Sequence, residues 1–163
     1  MLSAGPQDRD SDTPDPGQAR RRAAMAVVAQ AAAGDIARRL TLVGDIAFAE
    51  LRPPEVGLVM LRGRIGGNGA PFNVGEATVT RAAVQLASGE TGFAYVLGRD
   101  RKKAQLAALC DALWQADEFR PRIEELVLQP LQQAQHLSQA KAQARTAATR
   151  VDFFTLVRGE DER

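Results

Sequence analysis

Residues 74 to 114 read VGEATVTRAAVQLASGETGFAYVLGRDRKKAQLAALCDALW, and this stretch decides the fold. Residues 74 to 87 form a long strand, Ser88-Gly89-Glu90 supplies a turn, and a second strand runs from Thr91 to Arg99. Two strands joined by so short a turn must pair antiparallel, because a parallel pair needs a crossover of a dozen or more residues. Asp100 then reads as a helix N-cap. Leu106, Leu109, Cys110, Leu113 and Trp114 recur at i, i+3, i+4, i+7 and i+8, an apolar stripe that places the helix across the sheet.

Upstream, Val56 to Arg64 alternates as a strand, with Leu58, Met60 and Arg62 on one face and Val59, Leu61 and Gly63 on the other. A shorter candidate strand, IAFAELR at 46 to 52, is expected to end at Pro53-Pro54, since neither proline donates a ladder hydrogen bond. Before these, Met25, Val28, Ala29 and Ala32 mark an alanine-rich helix behind Arg20, Arg21 and Arg22, ending near Gly34. Asp35 is the expected cap of a short second helix with Ile36, Leu40 and Val43, stopped by Gly44. Residues 1–18 carry prolines, glycines and Asp8, Asp10, Asp12 and Asp15 with few large apolar groups, and read as a disordered acidic tail.

Downstream, a helix begins near Pro121 with Ile123, Leu126 and Val127 inward, is interrupted or bent at Pro130, and resumes through an Ala/Gln-rich run to about Ala148. The closing VDFFTLVRG at 151 to 159 alternates as a strand with bulky apolar groups on both faces, so it wants cover on two sides. The order of elements predicts one α+β domain over 19–163. It has a small antiparallel β-sheet covered by α-helices, a helical N-terminal part and a C-terminal strand.

Composition narrows the function. With a formal net charge of +1, the chain has no global field to attract nucleic acid or an anionic membrane, so anion recognition must be local. One cysteine, Cys110, and one histidine, His136, provide no ligand set for a metal or an iron-sulfur cluster. No run approaches the roughly 20 apolar residues of a membrane span and no signal core opens the chain, so the cytoplasm is the expected compartment.

Gly63, Gly66, Gly67, Gly69 and Gly75 cluster between the strands, and glycine amides can approach an anion closely. The spacing nevertheless matches neither GxGxxG nor GxxxxGK[ST], and a strand follows where those motifs need a helix. Arg62, Arg64, Arg81 and Arg99 lie near strand ends that hairpin order would gather, suited to phosphate or carboxylate. The alternative is that they pair with Glu55, Glu76, Glu90 or Asp100, or line an interface. Glu76 has no second carboxylate or histidine to complete an acid-base pair. Cys110 falls on a buried stripe as a small hydrophobe, His136 reads as solvated, and Arg20 to Arg22 read as a solvated helix start. No catalytic constellation is visible.

Three segments carry a family resemblance: LRPPEVGLVMLRGRIGGNGAPFNVGEATVTRAAVQL (51–86), GFAYVLGRD (92–100) and KAQARTAATRVDFFTLVRGE (141–160). Over residues 20 to 160 the chain resembles the PhnG family, the G subunit of the bacterial carbon-phosphorus lyase machinery. The resemblance implies a non-autonomous subunit acting in phosphonate catabolism with subunits H, I and J and an ATPase-like L, with K as a further candidate. The G, H, I and L set is implied to act as a transferase, joining ATP and an alkylphosphonate to form α-D-ribose 1-methylphosphonate 5-triphosphate with release of adenine. It implies no cofactor on this chain; ATP is substrate of the complex, and an iron-sulfur cluster with S-adenosylmethionine belongs to J. Catalytic residues are not implied here. Arg62, Arg64, Gly66, Gly67, Asn73, Glu76, Arg81 and Arg99 are the candidates for substrate or interface contact, and Phe153, Phe154, Leu156 and Arg158 for partner contact. A purely structural assembly subunit and a stand-alone nucleotide-binding protein are the alternatives.

Overall fold

The structure is a computed structural model that describes residues 15–64, 66 and 69–149. The expected C-terminal strand, with Phe153, Phe154, Leu156 and Arg158, lies outside the described residues, as do Gly67 and most of the acidic tail. The α+β expectation is otherwise met. Helices α1 (Pro16–Gln30) and α2 (Ala33–Val43) precede strands β1 (Phe48–Gly63), β2 (Phe72–Leu86) and β3 (Thr91–Leu97), and α3 (Arg101–Gln115) follows. The strands form an antiparallel sheet in the order β1-β2-β3.

Even-numbered residues of β2 and β3, among them Ala82, Val84, Leu86, Ala94 and Val96, face the helices and join α1, α2 and α3 in the buried core. Asp100 caps α3 as expected, its carboxylate accepting the Lys103 amide at 2.9 Å. Gly92 has a different role from the turn glycines. A Cβ there would lie 2.0 Å from the Ala108 carbonyl oxygen and 2.4 Å from the Ala112 nitrogen, so β3 and α3 approach backbone to backbone only because the position has no side chain.

Several sequence expectations need correction. Pro53-Pro54 does not end a strand: β1 runs unbroken through it for 16 residues, with register shifts between Glu50 and Arg52 and between Arg52 and Glu55. β1 is an edge strand, and there a proline removes no hydrogen bond when its nitrogen faces outward or a bulge takes up the mismatch. Asp35 is not the cap of α2. Ala32 holds that position without a side-chain bond, Gly34 lies inside the helix, and Asp35 in the first turn pairs with Arg38. α1 begins at Pro16, inside the stretch expected to be tail.

Pro130 does not end the helix, although regular α-helix gives way to a π-helical turn just before it. α4 (Arg120–Ile123) continues through a π-helical turn (Glu124–Leu128) into α5 (Gln129–Ala148), with the Gln129 amide bonded to the Glu124 carbonyl. One wide turn just ahead of Pro130 relieves the clash that its ring would make with the carbonyl four residues back, and it resets the helix face. Ile123, Val127, Leu128 and Leu131 are consequently the buried residues, with Leu126 only partly covered.

Asp111 is the buried charge of this core, 1% exposed. Its carboxylate accepts Nε and Nη2 of Arg21 at 2.7 and 2.6 Å and the Phe93 amide at 2.8 Å, tying α1, α3 and β3 together. Arg21, read from sequence as solvated, is therefore half-buried and bidentate. Asp111→Ala should leave the Arg21 guanidinium and the Phe93 amide without their acceptor. The expected loss in urea denaturation is about 3 kcal/mol, the low end for a broken buried pair because Arg21 still reaches solvent. Gly92→Ala should also destabilise, by about 1–3 kcal/mol or more, since α3 backbone has to retreat.

Candidate functional site

Among the described residues the sheet has one open face. Glu55, Gly57, Val59 and Leu61 of β1 pair with Arg81, Val79, Ala77 and Gly75 of β2, and Arg81, Ala83 and Val79 pair with Tyr95, Phe93 and Leu97 of β3. Residues paired across antiparallel strands share a face. This row lies opposite the helices and leaves Leu51, Phe93, Tyr95 and Leu97 more than half exposed. Leu51, Arg52, Arg81, Ala83, Phe93 and Tyr95 line a shallow groove of about 300 Å³ on it.

Arg81 sits at the centre of that face and is already engaged. Its Nε donates to Glu55 Oε1 at 2.6 Å, and Arg52 reaches the same oxygen at 3.6 Å. The Glu55 hydrogen bond, followed by its charge and a smaller contribution from Tyr95, raises the guanidinium still further above its usual range. The structural-pair alternative is thus the observed one for Arg81.

The four arginines do not converge. Arg62 pairs across the ladder with Asn73, whereas Arg81 lies eight residues further along β2, roughly 25 Å away at about 3.3 Å per residue. Arg62 and Arg64 stand at the far end of the β1–β2 ribbon beside Gly66, whose φ of 68° suits glycine, and Glu76 lies part-way along, opposite Met60. Arg99 follows β3, next to Gly98, whose amide binds the Thr78 carbonyl at 2.9 Å. Arg62, Arg64, Glu76 and Arg99 have no ion-pair partner among the described residues. Glu90 is bound to Ser88, which lowers its pKa, and Asp100 is used by the helix cap.

Sequence reasoning missed four positions. Arg120 closes the C-terminus of α3, its Nε 2.8 Å from the Trp114 carbonyl and its Nη2 3.0 Å from that of Gln115, with the guanidinium 5.2 Å from the Trp114 ring centre. Arg21 and Gly92 gave no local signal. Asp111 gave one: Ala104, Ala107, Ala108 and Asp111 recur at i, i+3, i+4 and i+7, so the acid falls on an alanine stripe facing the sheet.

None of the described residues assembles into a metal-ligating cluster or a helix long and apolar enough to cross a membrane. His136 is exposed, as expected. Cys110 is fully buried and its thiol is pushed up to about 12 by desolvation, with the neighbouring Asp111 charge second.

The profile of the phosphonate metabolism protein PhnG family matches residues 19–159. The chain belongs to the PhnG family. It is 46% identical over 155 residues to the α-D-ribose 1-methylphosphonate 5-triphosphate synthase subunit PhnG of Rhizobium meliloti (strain 1021), covering 94% of this chain and 99% of that relative. The long quoted segments on β1, β2 and β3 thus fall within a family-wide match.

A thiol reagent at pH 8 should leave Cys110 of the folded PhnG chain unmodified and label it fully in denaturant. Because burial raises the thiol pKa from 9.0 to about 12, its contribution to stability is complete below pH 9 and is lost as pH rises toward 12. Cys110→Ala should flatten the alkaline limb of a pH-stability profile.

Proposed function

We propose that this PhnG chain is a non-autonomous subunit of an α-D-ribose 1-methylphosphonate 5-triphosphate synthase complex in phosphonate catabolism, working with the H, I and L subunits on ATP and an alkylphosphonate. The observation that carries the proposal is the near full-length match to a subunit bearing that name. The chemistry of the surface supports it. Of the described candidates, Glu76 lies along the ribbon opposite Met60, Glu55 is ion-paired and Cys110 is buried, whereas a large apolar sheet face is left without cover among the described residues. Reaction cofactors belong to other subunits on this reading, with the iron-sulfur cluster and S-adenosylmethionine confined to J.

The test is reconstitution. Adenine release from ATP and methylphosphonate by H, I and L should be lost when this chain is omitted and restored when it is added; activity without it overturns the proposal. Calorimetry of the isolated chain with ATP should show no binding, and tight binding would instead support the stand-alone nucleotide-binding alternative. Residues 151–163, with Phe153, Phe154, Leu156 and Arg158, are proposed to dock on the I subunit, so deleting them should abolish copurification with it.

A further inference from the structure

The β1–β2 ribbon outruns the rest of the domain. β3 pairs with β2 only between Val79 and Gln85, so the pairs from Leu58↔Thr78 to Gly63↔Phe72 have no third strand among the described residues and form a two-stranded arm. Such a ribbon is marginal in water by itself. The usual remedy for a solvated arm is polar residues on both faces, and this arm has the opposite. Leu58 and Met60 on one face are 63% and 55% exposed, Leu61 on the other is 46% exposed, and Phe72 and Val74 near the end are 42% and 60% exposed. No described residue between Phe48 and Ala82 belongs to the main core cluster, so these side chains do not serve the body of the fold.

Charge is distributed as unevenly as apolar surface. From Val56 to Thr78 the chain carries only Arg62, Arg64 and Glu76, and both arginines are at the far end. Apolar groups on both faces require walls on both sides, which excludes a flat docking surface. Two guanidinium groups with no ion-pair partner among the described residues, carried into such a cleft, require anionic acceptors at its closed end, because a charge desolvated without a partner is costly.

We propose that the arm inserts into a cleft of a partner subunit with apolar walls and with carboxylates where Arg62 and Arg64 arrive. This rests on the complex membership proposed above and adds the arm as a second contact beside residues 151–163. Arg81, held by Glu55 at the arm's base, keeps the ribbon in register and takes no part in the contact.

The experiment uses the full chain coexpressed with its partner subunits. In one variant, Val59 is joined to Ala77 through Asn-Gly, which trims the arm and leaves the core cluster intact. In a second, Arg62→Glu and Arg64→Glu reverse the tip charge. In a third, Leu137→Asp changes an exposed apolar residue on α5 as a control.

The trimmed chain is expected to keep its thermal midpoint and to lose copurification. The charge reversal should weaken association about tenfold or more at low salt, with the deficit shrinking as salt rises. Leu137→Asp should assemble normally. Normal assembly of the trimmed chain overturns the insertion. Normal assembly of the charge-reversed chain with only a raised KM for ATP overturns the carboxylate pairing, and shows that the arginines meet substrate phosphate. Self-association of the isolated wild-type chain that is lost on trimming shows instead that a second copy covers the arm. If even the wild-type chain fails to assemble, complex membership itself is wrong, an outcome distinct from failure of the arm alone.

Discussion

The packing of the domain depends on one carboxylate. Asp111 lies where α1, α3 and β3 meet, and it satisfies two guanidinium nitrogens and one strand amide that would otherwise be left without acceptors. A buried aspartate is tolerable only with such complete pairing. Gly92, adjacent to Phe93, allows the backbone approach that brings the amide within reach. Gln115 continues the contact by donating to the Thr91 carbonyl at 2.8 Å, so α3 satisfies part of the outer edge of β3. An edge covered in this way is a poor template for another strand, while β1 keeps its own edge along its length among the described residues.

Legibility from sequence followed the range of the interactions. The β2–β3 hairpin, the Asp100 cap and the apolar stripe on α3 depend on residues within a few positions of one another, and all three are in the structure, although the side of α3 that meets β3 is the alanine one at Ala108 and Ala112. Arg21 and Asp111 are 90 positions apart, and no periodicity in α1 distinguishes Arg21 from Arg20 or Arg22. The Pro53-Pro54 reading failed for a related reason. Whether Pro53-Pro54 ends a strand depends on whether that strand has one neighbour or two, which is a property of the sheet. At Pro130 the irregularity takes the form of one turn of π-helix just ahead of it, and nothing in a helical wheel signals that turn.

At the candidate site, the sequence supplied residue types without separations. Arg62, Arg64, Arg81 and Arg99 were expected to gather, and the register instead spreads them along the ribbon, with Arg81 neutralised by Glu55. A phosphate cradle needs several donors within a few ångströms of one another. The described arginines therefore do not make one, whereas the two at the ribbon's end have no ion-pair partner among the described residues.

The division between core and ribbon bears on why the ribbon is apolar at all. A hydrophobic side chain selected for folding should be found in the core, and those of Ala82, Val84, Leu86, Ala94 and Val96 are. Leu58, Met60, Leu61 and Val74 contribute to no such cluster, so their exposure is a standing liability for a chain that had to remain monomeric. The same holds for Phe93, Tyr95 and Leu97, which point away from the helices that cover the opposite side of the same strand. Two apolar surfaces, neither needed by the fold and both continuous with the β1–β2 ladder, are accounted for together when the cover is supplied by another chain. That is the expected condition of a subunit whose sheet is completed only in its assembly.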